Sequence, residues 1–105
     1  GEIKMEELYY IRNVGCDDET RGLAIIPKEF FNIFKEIIEN LNENSQYGCM
    51  PTIEVFKINK NILREVEKHD RPYKILHLGE KKYALKGPIY DYETDNYIKG
   101  VEKVI

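Results

Sequence analysis

Cys16, Cys49, His69 and His77 are the residues of this chain best equipped for chemistry. Two thiols and two imidazoles make the ligand set of a tetrahedral zinc site. Their spacing argues against one, because no two stand close enough for a Cys-x-x-Cys or His-x₃₋₅-His clip. A thiol nucleophile is the other chemistry they offer. Cys16 or Cys49 would attack, His69 or His77 would take the proton, and Asp70 or Asp17 would orient the imidazole. Nothing in the spacing demands it, and Asp70 directly follows His69, a placement from which two side chains rarely face each other. The chain holds no Gly-x-Ser-x-Gly, His-Glu-x-x-His, Walker or dinucleotide-binding pattern. The expectation is of two reduced, inert thiols, since free cysteine commonly serves as a small buried hydrophobe. No metal, no cofactor and no catalysis is expected.

The stretch NVGCDDETRG, residues 13–22, gathers Asp17, Asp18 and Glu19 between two glycines. Three carboxylates suit a hard cation, but the spacing lacks the alternating acids and late Glu of an EF-hand. Aspartate that bonds local backbone and glycine that tolerates positive φ read first as a turn. Exposed on such a turn, the three acids are candidates for contact with a partner.

Charge is unevenly spread over a net of −3. Residues 1–50 carry five basic and ten acidic side chains, residues 51–90 nine and five, and residues 91–105 two and four. The basic middle includes Arg71, Tyr73, Lys82 and Tyr83, a mixture that grips phosphates and stacks bases. Alternation on the segment 81–86 accounts for it equally well, with lysines on a solvated face and Tyr83 on a buried one. An acidic total also runs against the footprint of a nucleic-acid binder. The tail YDYETDNY, residues 90–97, is the most unusual stretch. Extended, it would set Tyr90, Tyr92 and Thr94 on one face and Asp91, Glu93 and Asp95 on the other. Tyrosines anchor interfaces and the acids steer association. The competing reading is an edge strand whose acids deter pairing.

These residues must be held by a small fold. The 105 residues are 42% hydrophobic and 33% charged, which suits one modest folded domain. Gly1–Lys4 ahead of Met5 reads as a remnant of cloning. β-Favouring runs at residues 7–14 and 21–26 flank the acidic loop and predict a hairpin. Pro27 then opens a helix that runs to Asn44. Phe30, Ile33, Phe34, Ile37, Ile38 and Leu41 form its apolar stripe, and Asn44 or Gly48 is placed to end it. Residues 52–58 predict a strand, and residues 59–69 a short helix with Ile62, Leu63 and Val66 as its stripe. Residues 73–78 and 81–86 predict a second hairpin across Gly79-Glu80, with Gly at the first place of a type II′ turn. The tail adds one more strand near Tyr90 and a frayed or helical end over 98–105. The expected fold is therefore α+β in the order β-β-α-β-α-β-β. Its sheet is mainly antiparallel, and the long helix covers one face with its whole stripe.

No signal peptide or membrane span is legible, and the thiols suit a reducing cytoplasm. Small size, polarised charge and missing motifs favour a non-enzymatic binding module, an inhibitor or adaptor such as a bacterium or its phage encodes. It would contact another protein through Asp17, Asp18, Glu19, Tyr90, Asp91, Tyr92 and Glu93. The alternative is an oligomeric small-ligand or nucleotide binder that uses Arg71, Tyr73, Lys82 and Tyr83. Least favoured are a thiol enzyme and a nucleic-acid binder.

Overall fold

A computed structural model describes residues 7–15, 20–45, 52–66, 76–78 and 81–105. In chain order these hold β1 (Leu8–Val14), β2 (Thr20–Pro27), α1 (Lys28–Asn44), β3 (Thr52–Ile58) and β4 (Leu63–Val66). There follow β5 (Leu76–Leu78), β6 (Lys81–Leu85), β7 (Tyr90–Asp91), β8 (Asn96–Tyr97) and β9 (Val101–Lys103). Every strand pairing is antiparallel. The fold is α+β, as the hairpins at each end imply. Its strands divide among a four-stranded sheet β2-β1-β3-β9, a three-stranded sheet β4-β6-β5 and the small pair β7-β8.

Alternation along β1 explains the layers. Leu8 and Tyr10 face one side, where they join Ile25, Phe56, Ile58, Leu63 and Ile89 in the larger core. Tyr9 faces the other side, beside Val55 and the helix residues Phe31 and Ile38. Strand β1 is therefore central, covered by the helix on one face and by the second sheet on the other. Opposite it, β2 slips register: Ile11 pairs with Ala24 but Arg12 pairs with Gly22, so Leu23 is an extra, exposed residue in a bulge.

Three local expectations are corrected. Residues 59–69 do not form a helix over their described part. Asn59 caps a single 3₁₀ turn, Lys60–Ile62, by accepting from the Asn61 N–H at 3.0 Å. Leu63 onward then runs as β4 against β6. Leu63 and Val66 stand three apart, a helical spacing that in a strand puts them on opposite faces, where both are buried, yet four residues gain more from a waiting strand than from an isolated helical turn. The end of the chain is neither frayed nor helical. Strand β9 pairs with β3, and the Val55 N–H donates to the Ile105 carbonyl at 3.1 Å. Pro27 closes β2 in an extended conformation, one residue before the helix instead of inside it. At the other end Ser45 stops the helix in a right-handed conformation, its hydroxyl donating to the Asn42 carbonyl at 2.8 Å. Gly48 and the Gly79-Glu80 turn lie outside the described residues.

The largest correction concerns the helix face. Of the six stripe residues only Ile38 is buried, at 5% exposure, while Phe30, Ile33, Phe34, Ile37 and Leu41 are between 46% and 64% exposed. Instead the helix turns Phe31 onto the sheet, where it stacks on Tyr9 with ring centroids 4.1 Å apart. One turn from the end, Asn42 fixes that orientation. Its Nδ2 donates to the Ile53 carbonyl at 2.6 Å, and its Oδ1 accepts from the Ile53 N–H at 2.7 Å. Positions 31, 38 and 42 share one side, roughly a quarter turn from the centre of the stripe. Replacing Phe31 by Ala should therefore cost about 3–4 kcal/mol in urea unfolding, and replacing Phe30 by Ala less than about 1 kcal/mol. The reverse order would mean that the helix sits on its stripe after all.

Candidate functional site

The tail is the best described of the expected contact residues. Tyr90 pairs with Tyr97 and Asp91 with Asn96, and the four residues between them turn. Asp95 takes a left-handed φ of 54°, which aspartate tolerates better than most residues. Asp91 accepts from the Glu93 N–H at 2.9 Å, a local bond that tightens the turn. The Tyr90 hydroxyl donates to Asp95. That bond, followed by burial, pushes the Tyr90 hydroxyl up to about 12. Tyr92 and Tyr97 lie edge-on to Tyr90 with centroids 5.0 and 5.3 Å away, and Tyr97 lies edge-on to Phe56 at 5.2 Å.

The expected ladder of acids is thereby corrected. Asp91, Glu93 and Asp95 do not line one strand face, because residues 92–95 form a turn and two of the acids bond within it. Tyr97 roots the hairpin in the core, and Tyr92 alone of its three rings stands out, 87% exposed. Asp17, Asp18 and Glu19 lie in the hairpin connection outside the described residues. So do Arg71 and Tyr73, and with them Cys16, Cys49, His69 and Asp70. Lys82 lies on β6 opposite His77 of β5. Tyr83 packs half-buried against the larger core, while Ala84, which the alternation over residues 81–86 places on the solvated face, is buried. An open groove of about 310 Å³ runs elsewhere, along Lys57, Ile58, Asn59, Gly100, Val101 and Glu102.

Two groups of charges tie neighbouring elements together. Arg12 and Glu54 face each other across β1 and β3, with Arg12 Nε donating to Glu54 Oε1 at 2.8 Å. Lys103 of β9 reaches the other oxygen at 2.8 Å. The Arg12 guanidinium also lies over the Phe56 ring, 4.6 Å from its centroid. At the helix start Glu7 bridges Lys28 at 2.9 Å and Lys57 at 3.4 Å. The hydrogen bond and charge of Lys28 hold its carboxyl below the usual range. These last groups are exposed and add little stability.

The comparison with known proteins is short. No protein-family model, curated protein or solved structure matches the chain. Among the described residues, no group of three or more His, Cys, Asp and Glu side chains could hold a metal ion, and no helix is long and apolar enough to cross a membrane.

The feature that the sequence reading assigned to the core, and so missed as a surface, is the outer face of α1. A signal for it was present. Phe31 extends the apolar arc to roughly 160° of the helix circumference, well beyond the ~100° that one packed face requires. An arc that wide exceeds what a single sheet can cover.

Burial opposes the charge on Glu54, yet hydrogen bonds from Lys103 and Arg12 outweigh it and hold the carboxyl below its ordinary 4.5. A group depressed in the folded state contributes stability above its unfolded value and loses it as pH falls through the folded one. Stability should therefore decline as pH drops below about 4.5. Glu54→Gln should flatten that decline and cost roughly 1–2 kcal/mol at pH 7. Urea unfolding at several pH values between 3 and 7 measures both.

Proposed function

We propose that this protein is a non-enzymatic binding module that works by contact with another protein, as an inhibitor or adaptor in the cytoplasm. The outer face of α1 carries the proposal. Its five half-exposed side chains present roughly 500 Å² of contiguous apolar surface, near the upper end of what monomeric proteins leave bare. Patches of that size commonly mark interfaces. The helix is also well placed to present them. Asn42 and the Phe31–Tyr9 stack hold it at both ends, so the face is a pre-formed surface that loses little freedom on binding.

The tail hairpin supplies a second contact in this proposal. Tyr92 offers a large amphipathic ring and Glu93 an exposed charge, while Tyr90 and Asp91 shape the turn that carries them. Asp17, Asp18 and Glu19 remain candidates for steering the encounter. The small-ligand alternative has less support, because Tyr83 packs against the core and the described groove lies away from it.

Capture from extract of the source cell provides the test. Wild-type protein should retain a partner that the double variant Phe34→Glu, Ile37→Glu loses, with circular dichroism and melting temperature little changed. Tyr92→Ala should weaken capture by about five- to tenfold, in keeping with the loss of one interface aromatic. Equal retention by wild-type and the helix variant would remove α1 from the proposed surface. A rise in melting temperature with a nucleotide, absent in a Lys82→Glu variant, would favour the ligand-binding alternative.

A further inference from the structure

We propose that the outer face of α1 docks an amphipathic helical segment of its partner, one whose apolar row is bordered by lysine or arginine. This builds on the binding-module proposal and adds the chemistry of the occupant. The first observation is the spacing of the exposed row. Phe30, Phe34, Ile37 and Leu41 step by four, three and four, which is the seam of a helix made to lie against another helix. A flat sheet or an extended peptide asks for no such repeat.

The second observation is the border of that row. Glu29, Glu36 and Glu43 recur every seven residues and are all exposed. Glu29 and Glu36 stand four before and three after Ile33, so they flank the row directly on the helix surface. None of the three forms an ion pair among the described residues. The other border of the row is the side that turns onto the sheet through Phe31 and Ile38. The free border thus carries three acids and the neutral Asn40, and no basic side chain. Long basic side chains of a facing helix can span to it while their stems cover the apolar row.

A second copy of this chain fits less well. A two-fold axis that runs the helices antiparallel lays both glutamate rows on the same side of the contact, so that acid meets acid. The second copy brings no basic border of its own to the row.

The full chain should be tested against two fluorescent helical peptides by anisotropy. Both carry the same leucine row at three- and four-residue spacing. One is bordered by lysine, the other by glutamate. The lysine peptide should bind about tenfold or more tightly than the glutamate peptide in low salt, and raising the salt should shrink that ratio. Ile37→Glu should abolish binding of both. The triple variant Glu29→Gln, Glu36→Gln, Glu43→Gln should keep binding but bring the ratio close to one, with its melting temperature unchanged. Equal binding of the two peptides by the wild-type chain, or no binding of either, would overturn the inference. So would sedimentation showing a dimer that Ile37→Glu dissociates. Face-dependent capture of a cellular partner that lacks a basic amphipathic helix would overturn the partner chemistry while leaving the binding module standing.

Discussion

The structure depends on a sheet that has to be covered on both faces by layers of unequal size. Strand β1 alternates large side chains, Leu8 and Tyr10 to one side and Tyr9 to the other, and neither side can be left to water. The larger core receives β4, β6 and the tail. Among the described residues the smaller one receives the helix and the C-terminal Ile105, and it has room for Phe31 and Ile38 but not for a whole stripe. What the helix keeps outside is thus decided by what the sheet can accept. Tyr9 offers one ring to stack on, and the start of β3 offers one free peptide for Asn42 to clasp.

Electrostatics follow the same layering. Glu54 is half-shielded on β3 and holds a cation from each neighbouring strand, Arg12 from β1 and Lys103 from β9. A carboxylate in that position is costly alone and tolerable with two partners. Arg12 also spreads over Phe56, so one guanidinium closes the end of the larger core while remaining paired. The Tyr10 hydroxyl, in that core, is pushed up to about 12 chiefly by burial. The charged groups thus sit at the rim of the core, where a short reach meets water or a partner strand, while the Tyr10 phenol lies inside it.

Much of the fold was legible from periodicity. Residues 8–14, 20–27 and 52–58 are rich in β-favouring side chains, and residues 28–44 repeat at helical spacing, so these elements were placed within a residue or two. The segment 63–66 was not legible, because Leu63 and Val66 stand at helical spacing and only the pairing with β6 makes the segment a strand, with the two on opposite faces. The tail was misread for a related reason. Alternating tyrosines and acids imply an extended run, but the bond from Tyr90 to Asp95 and the turn at Asp91 fold it on itself. The helix face was half legible. The stripe is plain in the sequence, whereas its rotation depends on Asn42, a polar residue whose partner lies eleven positions away.

The slip in β2 has a consequence of its own. Strand β2 ends the four-stranded sheet, and no described strand pairs with its outer side. An unpaired border rich in aliphatic residues invites another chain to zip on and propagate into fibres. The extra residue at Leu23 throws the backbone out of step halfway along, and Pro27 removes an amide at the far end. Any strand that tried to add there would find only short lengths in phase. The protein can therefore keep a greasy helix face open to its surroundings without also offering a template for runaway stacking.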